Sequence, residues 1–156
     1  MTKPVDVTTP SDREIDVTRR FDAPAQLVFD FHTKPEHVKK WLLGPDGWTM
    51  PVCSIDLKVG GRYEYVWRHE TDGRQFGVRG EYLEITPPHR IVHTEVMDGR
   101  PGNVRATVTF SESAGGRTTL TMSLLFDSKE DRDAALESGM TGGMAISFDR
   151  LEACMI

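Results

Sequence analysis

The sequence predicts an α+β domain in which an antiparallel sheet is crossed by a long C-terminal helix. Between Thr49 and Phe126, alternating segments are separated by the turn signals VGGR, TDGR, TPPH, DGRPGN and SAGGR. Two short helical segments precede this region, and one long helical segment follows it. The chain has 156 residues, which fits one domain large enough to bury a hydrophobic core.

The N-terminal region predicts a tail followed by a strand. Residues 1–12 are rich in Thr, Pro and Asp, a composition typical of a flexible terminus. In the next segment, EIDVTRRF, the residues Ile15, Val17 and Phe21 fall on one face, as in a half-buried strand. We therefore predict a flexible tail over residues 1–12 and a single domain over residues 13–156.

Two short helices are predicted after this strand. The first opens at Asp22, has Pro24 in its first turn, and runs through AQLVFDF. The second opens with Thr33 and Glu36 at the spacing of a capping box and ends near Trp41.

The strands of the central region have legible faces. Tyr63, Tyr65 and Trp67 alternate with polar or charged residues, and the large apolar residues of TLTMSLLF fall at every second position. An antiparallel sheet with one dry face and one wet face is expected. In RIVHTEVM neither face is cleanly apolar, so its register stays open.

The last segment predicts one helix from Ser128 to about Cys154, about 25 residues or roughly 37 Å long. Near the centre of its apolar stripe, Gly143 and Ser147 are small residues among large ones, so the surface offered to the sheet is dented. The dent is either filled by aromatic side chains of the sheet or forms the roof of a cavity. Gly139 and Gly142 lie off the stripe, and the pattern does not explain them. The stripe consists of Leu136, Met140, Gly143, Met144, Ser147, Leu151 and Cys154.

Four segments, taken in order, resemble a known family. RRFDAPAQLVFDFHTKPEHVKKWLLGP, IDLKVGGRYEY, GEYLEITPPHRIVHTE and SKEDRDAALESGMTGGMAISFDRL are similar to segments of the homologues of the activator of heat-shock-protein ATPase. That family belongs to the START-like, or SRPBCC, helix-grip superfamily, which includes the birch-pollen allergen and polyketide cyclases. The resemblance covers the chain from about Arg13 to its C-terminus.

The resemblance implies a helix-grip fold. In this fold a curved antiparallel sheet of about six to seven strands wraps around a long C-terminal helix, with two short helices after the first strand. It also implies a hydrophobic cavity between the sheet and the helix, which members of the superfamily use to bind apolar small molecules. It carries no catalytic residue over to this sequence.

The candidate ligand-binding residues are the inward residues of the strands together with the helix stripe. Aromatic walls, adaptable thioethers and a few polar tips suit an apolar or aromatic small molecule. In the alternative interpretation the same side chains are ordinary core. The predicted set is Tyr63, Tyr65, Trp67, Phe76, Val78, Tyr82, Met122, Leu124, Met140, Gly143, Met144 and Ser147.

A few titratable side chains are candidates for chemistry. His69 continues the face of Trp67 and would sit at a pocket mouth, while His93 and Glu95 share a strand face and would form an acid/base pair. Such residues at strand ends and edges more commonly serve solubility. Because there is no GxSxG, no phosphate-binding loop and no nucleophile signature, we assign no catalytic residue and no cofactor. The spacing of His and Cys residues matches no metal site, so no metal is predicted.

Charge and hydropathy exclude several classes of partner. The net charge is −5 without a basic run, so nucleic acid and anionic membranes are not expected partners. No signal-like apolar segment and no run of about 18 apolar residues occurs, which predicts a cytoplasmic protein.

Three functions stay open. The first is the binding of an apolar small molecule, and the second is a polyketide cyclase-like or hydrolase-like enzyme using His93, Glu95 or a tyrosine. The third is a module that binds a chaperone ATPase, suggested by the family resemblance alone. In the eukaryotic activator a separate domain precedes this one, whereas about twelve residues precede the first predicted strand here, which weakens the third expectation.

Overall fold

A computed structural model describes residues 3–100 and 102–155. Within these residues the chain forms eight strands and four helices. The elements are β1 (Asp6–Thr8), β2 (Glu14–Phe21), α1 (Ala25–Thr33), α2 (Pro35–Trp41), β3 (Trp48–Ile55), β4 (Arg62–His69), β5 (Gln75–Thr86), β6 (Arg90–Met97), β7 (Val104–Ser113), β8 (Arg117–Leu125), α3 (Lys129–Glu137) and α4 (Met140–Cys154).

All eight strands join one curved antiparallel sheet in the order β1-β2-β8-β7-β6-β5-β4-β3. Strands β3 to β8 follow one another as a meander of hairpins, as their turn signals predict. Strand β2 lies beside β8, which places the start of the domain against the last strand. The predicted helix-grip architecture is confirmed, with a strand count slightly above the predicted six to seven.

The additional strand lies in the segment predicted as a flexible tail. Strand β1 pairs with β2, with Val7 opposite Val17. Outside the strand, the Lys3 ammonium lies 2.8 Å from the Glu152 carboxylate on α4, and the Lys3 amide lies 3.1 Å from Asp149. The prediction of a flexible tail is therefore wrong for Asp6–Thr8. Composition cannot reveal this strand, because its hydrogen bonds come from an edge that only the folded sheet provides.

The two short helices occur in the predicted places, but both have different starts. Helix α1 begins at Ala25, with Pro24 at the N-cap position and no side-chain capping bond, so the predicted opening at Asp22 is wrong. Helix α2 begins at Pro35, with Lys34 at the N-cap position and no side-chain capping bond. The Thr33 hydroxyl instead donates to the carbonyl of Phe29, 3.0 Å away, within α1. The predicted capping box is wrong because that hydroxyl bonds backward in its own helix. The end at Trp41 is as predicted.

The C-terminal helical segment is broken into two helices at Gly139. This residue has φ of 81°, a left-handed conformation that glycine adopts without the steric cost of a Cβ. The single helix predicted from Ser128 to Cys154 is therefore wrong in its continuity, although Ser128 caps α3 through a bond from the Asp131 amide. None of the described helices is long and apolar enough to cross a membrane.

Helix α4 is buried on more than the predicted stripe. Ala145 and Phe148, which are not members of the stripe, are buried together with Ser147 and Leu151. The reason is that α4 packs against α2 as well as facing the sheet. The predicted stripe was chosen for packing against the sheet alone, so it did not include the residues that pack against α2.

A buried arginine ties α4 to the sheet. Arg19 of β2 is 5% exposed, and its guanidinium lies 2.8 Å from Asp149 and 3.2 Å from Glu152. The same guanidinium stacks over the ring of Phe21 at 5.3 Å. These contacts fix the position of α4, and with it the wall that α4 contributes to the interior.

Candidate functional site

A cavity of about 480 Å³ lies between the inner face of the sheet and the helices. Inward residues of β4 to β8 form one wall, and residues of α1, α2 and α4 form the other. Three of the lining residues, Gly102, Asn103 and Ser138, are largely exposed. The cavity therefore opens to solvent between the β6–β7 turn and the junction of α3 with α4.

The structure brings most of the predicted ligand-binding residues together in this cavity. Gly143 does not line it, and a Cβ built at this position meets no atom within 4 Å. Met140, Met144, Ser147 and Phe148 of the same helix do line the cavity, which places Gly143 at the edge of the lining face, and a glycine has no side chain to reach inward. The predicted residues that line the cavity are Tyr63, Tyr65, Trp67, Phe76, Val78, Tyr82, Met122, Leu124, Met140, Met144 and Ser147.

Aromatic side chains of β4 form a continuous wall. The rings of Tyr63 and Tyr65 are 5.2 Å apart, and those of Tyr65 and Trp67 are 5.9 Å apart. They meet because alternate residues of a strand project from the same face. The indole Nε1 of Trp67 donates to the carbonyl of Leu42, 2.7 Å away. The polar edge of Trp67 is thus satisfied by the protein, and its apolar ring surface is left to the cavity.

Tyr63 is held by the neighbouring strands. Its hydroxyl donates to the carbonyl of Thr94 at 2.7 Å and lies 3.0 Å from Nδ1 of His93. Gly80 is the partner of Tyr63 on β5, and a Cβ at Gly80 would collide with the Thr94 carbonyl oxygen and with the Tyr63 ring. A glycine at this position therefore allows Tyr63 to reach β6. Burial raises the pKa of the Tyr63 hydroxyl well above its usual range, so it acts as a neutral donor.

The strand whose register the sequence left open contributes two titratable groups. Ile91, His93, Glu95 and Met97, at every second position of β6, all line the cavity. His93 and Glu95 share a face, as predicted. Burial lowers the pKa of His93 and raises that of Glu95, although the charge of Arg100 opposes the second shift. Both shifts favour the neutral form of the side chain.

His32 of α1 also lines the cavity, and the sequence analysis did not select it. Its Nδ1 lies 2.7 Å from the carbonyl of Val28 and must donate, because a carbonyl oxygen only accepts. Burial lowers the pKa of His32 to about 4, so the ring is neutral at pH 7. Its Nε2 is fully covered and has no hydrogen-bond partner among the described residues.

The loop after α2 is fastened to α4. The amide of Gly44 donates to the hydroxyl of Ser147 at 2.9 Å, and the guanidinium of Arg150 donates to the carbonyl of Gly44 at 3.1 Å and to that of Trp41 at 3.3 Å. Ser147 was predicted to be a ligand-binding residue because it is small. In the structure its hydroxyl also accepts the hydrogen bond that fastens this loop.

Some of the wall was invisible to sequence reasoning. Trp41, Phe110 and Phe148 line the cavity but follow patterns that any buried helix or strand residue would show. His69, expected at a pocket mouth, lies outside the lining and packs edge-on against the ring of Trp48 at 5.1 Å.

Within the part of the chain that the structure describes, no group of three or more His, Cys, Asp or Glu side chains is placed to hold a metal ion.

The arrangement has the chemical features of a small-molecule cavity. Its volume is within the range of roughly 300–1,000 Å³ found for ligand pockets, and apolar and aromatic side chains dominate its wall. The polar side chains of the wall include His93 and Glu95 on β6 and the tyrosines Tyr63, Tyr65 and Tyr82. Such a wall favours ligands that are mostly apolar.

Solved structures of other bacterial proteins share this architecture. A protein from Rhodobacter sphaeroides is 28% identical with a TM-score of 0.91, and the match covers 97% of each chain. A protein from Chromobacterium violaceum is 26% identical with a TM-score of 0.81, over 93% of this chain and 98% of the other. An AHSA1-like protein from Aeromonas hydrophila is 20% identical with a TM-score of 0.71, over 89% and 93% of the two chains, which shows a shared fold.

A search of curated proteins found no match. The family model for Activator of Hsp90 ATPase homolog 1-like proteins matches residues 22–155. This range contains α1 to α4 and β3 to β8, and with them all of the cavity-lining residues, from His32 to Phe148. The chain accordingly belongs to the Activator of Hsp90 ATPase homolog 1-like family.

Proposed function

We propose that the protein binds an apolar or aromatic small molecule in the cavity between the sheet and the C-terminal helices. The observation that carries this proposal is the cavity itself, at about 480 Å³ with an aromatic wall. Close-packed interiors leave few voids larger than a water molecule. A void of this size is costly unless a ligand fills it, because each wall atom loses van der Waals partners.

The distribution of hydrogen bonds supports the same proposal. The indole nitrogens of Trp41 and Trp67 and the hydroxyl of Tyr63 all donate to backbone carbonyls. Their polar atoms are thus satisfied without a ligand, while their ring surfaces stay available. An apolar ligand can occupy this space without leaving those donors unpaired.

Thermal unfolding against a panel of aromatic polyketides, flavonoids, fatty acids and sterols tests the proposal. A ligand at a hundred times its dissociation constant adds about 2.7 kcal/mol to the free energy of unfolding. For a domain of this size that corresponds to a rise in Tm of roughly 5–10 °C. A saturable rise identifies a ligand class, and no rise across the panel counts against small-molecule binding.

A cavity-filling variant gives the matched control. Val78 lies in the cavity wall opposite Tyr65 on β4, so the Val78→Trp variant should fold and lose the ligand-induced rise in Tm. Val52→Trp makes the same change at a position that is 37% exposed and outside the lining. It should retain the rise. Equal binding by the two variants would place the ligand outside this cavity.

An enzymatic function is the second candidate, and one observation favours it. His93 and Glu95 occur together on an otherwise apolar wall, as in an acid/base pair for a cyclase-like or hydrolase-like reaction. Turnover of any compound that binds would be measured as a function of pH, in the wild type and in His93→Ala. An unaltered profile in the variant would exclude His93 from the reaction.

A chaperone partner is the third candidate, since the family is named after an activator of the Hsp90 ATPase. It agrees with the cytoplasmic location that we propose from the sequence. A pull-down with purified Hsp90 at micromolar concentration tests it, with Val52→Trp and the wild type compared. Absence of the chaperone from the bound fraction would rule this candidate out.

A further inference from the structure

The cavity wall contains a polar pair with free hydrogen-bonding capacity. His93 and Glu95 are two residues apart on β6, so their side chains project side by side. Both are part of the cavity lining. Tyr63, Tyr65 and Tyr82 line the cavity around them, and the rings of Tyr63 and His93 meet edge to face at 5.1 Å.

The hydrogen bonds at Nδ1 determine the tautomer of His93. The Tyr63 hydroxyl has one proton, which it donates to the Thr94 carbonyl at 2.7 Å. Nδ1 of His93 lies 3.0 Å from the Tyr63 oxygen and 3.1 Å from the Thr94 oxygen. Because neither oxygen has a proton to donate to Nδ1, both are acceptors, and Nδ1 must carry the proton. In the neutral ring, Nε2 is then a bare acceptor.

This acceptor has no partner among the residues that the structure describes. Nε2 of His93 makes no hydrogen bond to any described residue and, unlike Nε2 of His32, is not among the fully covered polar atoms. The carboxyl group of Glu95 likewise has no hydrogen bond or ion pair within residues 3–100 and 102–155, and Arg100 acts on it only through its charge. Nε2 of His93 and the carboxyl group of Glu95 thus have unused hydrogen-bonding capacity, which a ligand in the cavity can satisfy.

We propose that His93 and Glu95 form the anchor for a hydroxyl group on the apolar ligand. A hydroxyl can donate its proton to Nε2 of His93 and accept from, or donate to, the neighbouring carboxyl group. The predicted ligand class is therefore an aromatic or aliphatic molecule with one alcohol or phenol group that reaches these two side chains. This inference rests on the proposed binding function and adds the chemical identity of the polar end.

Other polar groups fit the pair less well. A ligand carboxylate has no proton to donate to Nε2 of His93, so it leaves that acceptor unpaired. An ether can accept but cannot donate, and a hydrocarbon leaves both protein groups unpaired. A site with buried polar groups discriminates against ligands that leave those groups unpaired.

Isothermal titration calorimetry with four matched naphthalenes tests the anchor on the wild-type protein. The probes are naphthalene, 2-naphthol, 2-methoxynaphthalene and 2-naphthoate. We expect 2-naphthol to bind about tenfold more tightly than naphthalene and 2-methoxynaphthalene, which corresponds to about 1.4 kcal/mol. The carboxylate should bind most weakly. Equal affinity for 2-naphthol and its methyl ether would overturn the proposal without any variant.

Variants assign the preference to the two side chains. His93→Leu should lose the preference for 2-naphthol over naphthalene. His89→Leu is the control, because His89 is exposed in the β5–β6 turn. Glu95→Gln should retain most of the preference, since an amide also donates and accepts, whereas Glu95→Leu should reduce it. A preference that persists in both leucine variants at the cavity would overturn the anchor.

The outcomes separate this inference from the proposed function. If naphthalene and 2-naphthol bind with equal affinity, the cavity binds apolar molecules and the anchor is wrong. If none of the four probes binds, and the larger panel also fails to raise Tm, the proposed function itself is wrong. Tight binding of 2-naphthoate above all others would show that the cavity selects anions, which contradicts the anchor alone.

Discussion

The Tyr63 hydroxyl lies 3.0 Å from Nδ1 of His93 and joins β4 to β6 across the width of β5. This contact fixes the ring of a histidine that the sequence placed on a strand of unknown register. It also connects the aromatic wall to the polar pair.

Tyr63→Phe should lower the free energy of unfolding by about 1 kcal/mol, because the Thr94 carbonyl loses its donor at 2.7 Å. The loss is moderate since Nδ1 of His93, 3.1 Å from the same oxygen, remains as a donor. Urea denaturation measures the change. A double-mutant cycle with His93→Leu should show coupling between the two sites, and strict additivity would contradict the contact.

Stability should fall in acid through His32. Its pKa is lowered to about 4 in the folded protein from 6.5, so between these values the unfolded chain binds more protons. The free energy of unfolding therefore decreases as pH falls from 6.5 to 4, by about 3 kcal/mol for a shift of this size. His93, whose pKa is also lowered, acts in the same direction.

The His32→Phe variant should flatten this acid dependence in part, leaving the share of His93. His89→Ala, at an exposed position, should keep the wild-type slope. Urea unfolding at a series of pH values gives the comparison. The same slope in all three proteins would show that His32 is not buried in its neutral form.

Two glycines near the start of α4 should respond with opposite signs. Gly139→Ala places a Cβ at φ of 81° and should destabilise by about 1–2 kcal/mol. Gly142 lies inside α4 with open space around its Cβ, so Gly142→Ala should stabilise by up to about 1 kcal/mol through helix propensity. Thermal unfolding of the pair, under identical conditions, measures both. A stabilising Gly139→Ala would mean that α3 and α4 are one continuous helix.

Ser147→Ala should loosen the loop that follows α2. The Gly44 amide would lose its acceptor at 2.9 Å, at a cost of about 1–2 kcal/mol. Amide hydrogen exchange should increase at Gly44 in the variant, while exchange in β7 and β8 stays unchanged. Ser138→Ala on the exposed rim of the cavity serves as the control, and equal protection of Gly44 in both would contradict the contact.

Much of the cavity wall was predictable because strand periodicity shows which residues share a face. The inward positions of β4 and β8 were read from alternation alone, and the structure brings them together. Gly143 was misplaced because the helical wheel put it at the centre of the stripe, whereas the face of α4 that lines the cavity also includes Phe148 and leaves Gly143 at its edge. His32 was missed because a histidine in a short helix carries no signal of what lies opposite.

The sequence by itself determined the element types, their order, the hairpin turns and the family, since these follow from local periodicity, glycine and proline positions and an ordered set of segments. Only the tertiary structure decided the strand in the N-terminal segment, the rotation of α4 and the encounter of Tyr63 with His93. The strand forms by pairing with β2, where Val7 lies opposite Val17. The other two features depend on contacts between residues further apart, such as Tyr63 with His93 and Arg19 with Glu152. Such contacts become favourable only when the sheet has closed around the helices, and local patterns do not encode them.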